Sequence, residues 1–90
     1  MSSTIDLIKE RLNELQALSL DIQDDSAKHI GHAGAKDGGH YQLKIVSAKF
    51  IGTSRIKRHQ MIYSLLSDLM QTKIHALAIN ALTPEEAQSN

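Results

Sequence analysis

His40-Tyr41-Gln42-Leu43-Lys44-Ile45-Val46-Ser47 alternates in character, with Tyr41, Leu43 and Ile45 set against Gln42 and Lys44. A period of two marks a strand with one buried face. Downstream, Phe50, Gly52, Thr53 and Ser54 form a turn. Ile62, Leu65, Leu66 and Leu69 then make an apolar stripe on a helix from about Arg55 to Met70. Leu77 and Ile79 alternate with Ala76, Ala78 and Asn80 on a further strand. A strand, a helix and a strand in succession imply a right-handed crossover, so these two strands run parallel.

Upstream, Leu18, Leu20 and Ile22 alternate with Ser19, Asp21 and Gln23, a half-buried strand ended by Asp24-Asp25-Ser26. A loop joins it to the His40 strand, so those two pair antiparallel. Before it, Ile5, Ile8, Leu12, Leu15 and Leu18 recur at helical spacing behind the N-cap candidates Ser2, Ser3 and Thr4, predicting a first helix over about Thr4 to Ala17. Thr83-Pro84-Glu85-Glu86 supplies an N-cap, a proline at the first helical position and a capping-box glutamate for a short last helix. The expected fold is α/β in the order α-β-β-α-β-α, with a three-stranded mixed sheet and helices on one face, as a single domain over residues 1–90. Ala27 to Gly39 holds four glycines and two histidines with no core-facing pattern, which reads as a mobile loop of the length that function usually occupies.

A chain of ninety residues buries roughly 60–65% of its unfolded surface. With no cysteine it has no disulfide framework, zinc finger or self-sufficient iron–sulfur site. Nothing approaches the roughly 18–20 apolar residues of a membrane span, and no signal-like segment opens the chain, so no membrane partner and a cytoplasmic location are expected. Ten basic and ten acidic residues cancel, but unevenly. Met1–Asp25 carries −4, Ser26–Gln60 carries +6 and Met61–Asn90 carries −2. Enzyme readings find little support. No serine sits in a nucleophile elbow, and Gly31, Gly34, Gly38 and Gly39 match neither a P-loop nor a dinucleotide fingerprint.

Five histidines in ninety residues are the unusual feature. Because the last strand runs parallel to the His40 strand, it also begins at the loop edge. His75 therefore lies beside the loop that carries His29 and His32, and two or three imidazoles could converge there. Without cysteine or carboxylate they make an open metal site, not a closed structural one. His59 belongs elsewhere, since a helix of about fifteen residues is roughly 22 Å long and separates it from His75. At the opposite edge, Gly52-Thr53-Ser54-Arg55-Ile56-Lys57-Arg58-His59 opens the second helix. A phosphate there would meet free backbone N–H groups and cations together; a solvated basic turn is the plainer alternative.

Several ordered blocks together resemble the BolA family: Asp25-Ser26-Ala27-Lys28-His29, Gly39-His40-Tyr41, Val46-Ser47-Ala48-Lys49-Phe50-Ile51-Gly52, Arg58-His59-Gln60-Met61-Ile62-Tyr63, and Ile74-His75-Ala76-Leu77-Ala78-Ile79 followed by Thr83-Pro84. The likeness runs from about Ile5 to Glu86. It implies a class II KH-like fold and a non-enzymatic partner of monothiol glutaredoxins. In that family a loop His or Cys and the His opening the last strand bind a [2Fe–2S] cluster shared with the glutaredoxin. The matching positions are His29 and His75, with a glutaredoxin cysteine and a glutathione thiol completing the set. The free protein is expected to be a monomer or a weak homodimer. Bacterial members are also described as DNA-binding transcription regulators linked to stress and cell shape. The corresponding surface would comprise Lys49, Gly52, Arg55, Lys57, Arg58 and His59. Phosphate contacts by Lys49, Arg55, Lys57 and Arg58 would give a log–log salt slope of roughly −3.6 on duplex DNA. The sequence departs from the family in its loop, which is about two residues longer and lacks the usual proline. His32 is therefore a rival ligand to His29. Gln60 replaces the arginine often found after the helix histidine.

Overall fold

The structure, a computed structural model, describes residues 3–25 and 39–89. In it the alternation of the His40 stretch becomes strand β2 (Gly39–Val46), with Tyr41, Leu43 and Ile45 buried and Gln42 and Lys44 exposed. β2 lies at the centre of a three-stranded sheet. β1 (Ser19–Asp24) pairs antiparallel on one side and β3 (Ile74–Leu82) parallel on the other, as expected.

Register follows the apolar pattern. Leu20 sits opposite Ile45, and Ile22 opposite Leu43. On the other side Leu43 sits opposite Ile79, and Ile45 opposite Ala81. One face of the sheet is thus apolar across all three strands, and a one-residue slip would turn it to solvent. Helices α1 (Thr4–Arg11), α2 (Arg55–Leu65) and α3 (Ser67–Thr72) cover that face, burying Ile8, Leu12, Ile62, Leu66 and Leu69 in one core with the strand residues and Phe50. The opposite face carries Asp21, Gln23, Gln42, Lys44 and Asn80 along an open groove.

Two of the expected helices are interrupted. The first ends at Arg11 instead of near Ala17. A 3-10 turn follows over Asn13–Leu15, closed by Gln16 in the left-handed region at φ 49°. The chain must swing back here for Leu18 to donate its N–H to the Val46 carbonyl, and the buried Ser47 hydroxyl donates to the Leu15 carbonyl at 2.6 Å. Leu18, grouped above with the apolar stripe, is consequently 70% exposed. The helix expected over Arg55 to Met70 divides at Leu66, where φ −103° and ψ 11° leave the helical region. Both halves still send their stripe residues into the core.

Both helix starts predicted from capping residues form. Ser3 and Asp6 make a reciprocal capping box at α1. At α4 (Pro84–Ser89), the Glu86 carboxylate accepts from the Thr83 N–H at 2.9 Å, and the Glu86 N–H donates to the Thr83 hydroxyl at 3.1 Å. The Ala27 to Gly39 loop lies outside the described residues except for Gly39, which is the first residue of β2.

Candidate functional site

The two edges singled out above differ in how their side chains are held. At the edge where β2 and β3 begin, Gly39 pairs with Ile74, but the next pair is His40 with Ala76. His75 is the extra residue of a β-bulge. Such bulges re-aim side chains at the ends of sheets. The bulge also reverses the alternation of β3: Ile74 is buried in the core together with Ala81, while His75 between Ile74 and Ala76 is exposed. The His75 ring lies with its centroid 5.1 Å from that of His40, the two planes at 43°.

His40 leads into a cleft of about 310 Å³ that Asp25, Tyr41, Gln42 and Ala76 also line. Asp25 is buried, and its carboxylate accepts from the side-chain amides of Gln23, at 3.0 Å, and Gln42. Its backbone N–H donates to the His40 carbonyl at 2.7 Å, so the end of β1 is tied to the start of β2 at the imidazole pair. The described residues of this edge offer imidazole nitrogen and no thiolate. Among the described residues no three His, Asp or Glu side chains come together as a metal site. His29 and His32 lie outside the described residues. His40 was not among the candidate ligands read from the sequence, although the argument that placed His75 at this edge applies equally to the residue opening the neighbouring parallel strand.

The opposite edge is less basic than its sequence. Lys49 is exposed on a 3-10 turn over Ala48–Phe50. Gly52 occupies the left-handed region at φ 78° and turns the chain into α2. There the Ser54 hydroxyl accepts the Lys57 N–H. Arg55 and Lys57 are exposed and His59 is half-buried.

Arg58 corrects the expectation of a phosphate-contacting side chain. It is 5% exposed. Its guanidinium donates to the Thr53 carbonyl at 2.8 Å, the Ala81 carbonyl at 3.0 Å, and both carboxylate oxygens of Glu86, at 2.7 and 3.3 Å. It also lies 5.9 Å from the centre of the Phe50 ring. Arg58 is a clamp that fastens α4 and the end of β3 to α2. The signal was present in the helical spacing, because Arg58 is one turn before Ile62 on the buried stripe. The Arg58 guanidinium and the Thr83 N–H hold the Glu86 carboxyl down at about 2. Glu85 and Glu86 line a cleft of about 430 Å³ with Arg55, so acidic side chains stand beside one of the exposed cations.

Residues 12–86 match the family of BolA-like proteins. The chain is 42% identical over 87 residues to the chloroplast protein BOLA1 of Arabidopsis thaliana, covering 91% of this chain and 54% of that protein. The solved structure of Arabidopsis BolA1 superposes with a TM-score of 0.84 at 38% identity, over 96% of this chain and 97% of the other. SufE-like protein 1 of the same plant is 44% identical over 86 residues, which is 88% of this chain and 23% of that protein. The chain thus spans about half or less of these two plant relatives. The DNA-binding transcriptional regulator BolA of Escherichia coli is 35% identical over 85 residues, 89% of this chain and 79% of the regulator.

Proposed function

The chain belongs to the BolA-like family, and from that premise we propose that it is a non-enzymatic partner of monothiol glutaredoxins, sharing a [2Fe–2S] cluster in iron–sulfur cluster trafficking or iron sensing. The observation that carries this reading is the exposed His75, held by a bulge at a sheet edge with no thiolate beside it. An imidazole fixed on a strand loses little freedom when it binds, which favours its use as a ligand. His75 would hold iron together with His29, His32 being the rival in the same stretch. A glutaredoxin cysteine and a glutathione thiol would complete the set, and the cluster would supply a redox-active or transferable iron–sulfur unit.

A relative in which such a domain shares a chain with a SufE-like protein is compatible with this reading. The test is reconstitution of the cluster in a mixture of this protein, a monothiol glutaredoxin and glutathione. The expected result is a heterocomplex on sizing whose visible absorption and dichroism differ from those of the glutaredoxin homodimer. Spectra identical to the homodimer, with no heterocomplex, would end the proposal.

A second reading, a DNA-binding regulator, is favoured by the name of the E. coli relative and by the exposed Lys49, Arg55 and Lys57. Those residues and Gly52 and His59 would form the contact surface, without Arg58. It uses the other edge of the sheet and does not compete with the first. Retardation of duplex DNA at low salt, weakened by Arg55→Ala and Lys57→Ala, tests it.

A further inference from the structure

We propose that His40 and His75 form a two-imidazole chelate that binds one borderline divalent transition-metal ion in the free protein. This site is made by the chain's own strands and goes beyond the shared cluster, since it needs neither glutaredoxin nor glutathione.

The ring separation sets the argument. With a metal–nitrogen distance of about 2.0–2.1 Å, an imidazole centroid sits about 3.2 Å from the ion, and two rings at a tetrahedral angle have centroids about 5.2 Å apart. The His40 and His75 centroids are 5.1 Å apart, with planes inclined at 43°. That separation is compatible with one ion bound by both rings.

The backbone holds that spacing. His40 and His75 open two parallel, directly paired strands, and the bulge places His75 opposite the step between Gly39 and His40. Asp25 ties β1 to His40 through a backbone hydrogen bond and lines the same cleft as His40. Its carboxylate is held by the side-chain amides of Gln23 and Gln42. Imidazole nitrogen selects zinc, nickel or copper over magnesium or calcium. Two protein ligands leave positions open for water, so the site is an exchangeable one, unlike a closed structural centre.

The experiment is a titration of Zn2+ into the free full chain in a non-coordinating buffer, followed by nitrogen–proton correlations of the five imidazoles. The His40 and His75 side-chain signals should move together and saturate at one ion per chain. Replacing either as His40→Asn or His75→Asn should weaken binding by roughly 10²-fold, the gain that joining two ligands confers. Amide spectra report whether each variant is folded, and His40→Gln is the second substitution should His40→Asn not be. The inference is overturned if zinc moves His75 with His29 or His32 while His40 stays in place, if the folded His40 variant binds as tightly as the parent, or if millimolar zinc moves neither ring. Because glutaredoxin is absent, none of these failures bears on the shared cluster.

Discussion

Replacing Arg58 with alanine probes the division of labour between the two edges. The side chain donates to two backbone carbonyls, at Thr53 and Ala81, besides its fork on Glu86; its guanidinium lies over the Phe50 ring, and the whole residue is buried. Hydrogen bonds from a charged donor contribute about 1.5–3 kcal/mol each when one partner is removed, and such losses do not add fully. Leaving the exposed part of the Glu86 pair out, the two carbonyl bonds and the buried stem put the cost of Arg58→Ala at about 2–4 kcal/mol. That is a large share of the stability of a domain this size. It lowers the melting temperature by roughly 10–25 °C. Arg58→Lys keeps the charge but loses the planar fork, so it should fall between alanine and the parent. Arg55→Ala, an exposed neighbour, should change stability by no more than about 0.5 kcal/mol. Thermal and urea unfolding followed by far-ultraviolet circular dichroism measure all three. An Arg58→Ala protein that melts like the parent but no longer binds DNA would refute the clamp and restore the phosphate contact.

Acid should act on the same clamp. The Glu86 carboxyl is depressed from 4.5 to about 2, so its stabilising effect is complete above pH 4.5 and is lost as pH falls toward 2. Glu86→Gln should flatten the fall in melting temperature across that window. Should DNA binding occur, the three exposed cations Lys49, Arg55 and Lys57 predict a log–log salt slope of about −2.7 in place of the −3.6 expected with Arg58 included, readable by fluorescence anisotropy between low and moderate salt. A Cβ on Gly52 would meet nothing within 4 Å, but φ is 78°. Gly52→Ala should therefore cost about 1 kcal/mol through backbone strain alone, seen as a shift of the urea midpoint without a change of slope.

Much of this architecture is legible in the chain because most of it rests on local patterns that agree with one another. The period-two run around Tyr41, Leu43 and Ile45, the Ile62–Leu69 stripe and the Thr83 cap each point to one element, and their order leaves one simple sheet. The misreadings arise where tertiary contacts override local pattern. Leu15 and Leu18 continue the apolar spacing of α1, yet the return to β1 and the Ser47 bond to Leu15 break the helix first. Arg58 reads as part of a basic run because its charge outweighs its place one turn before Ile62 on the buried stripe, and its partner, Glu86, stands 28 positions away. The His75 edge was reachable from strand direction alone. His40 was within reach of the same reasoning and was passed over; what the sequence does not mark is the bulge that brings the two rings together.

The central claim, that an imidazole fixed at the head of β3 is a ligand in a cluster shared with a monothiol glutaredoxin, meets its most direct test in the reconstituted heterocomplex of the histidine variants. Visible circular dichroism of His75→Ala should lose the features that distinguish the heterocomplex from the glutaredoxin homodimer. His29→Ala should lose a substantial part of them, and His32→Ala little, since His29 remains. A His75→Ala heterocomplex with an unchanged spectrum would contradict the account.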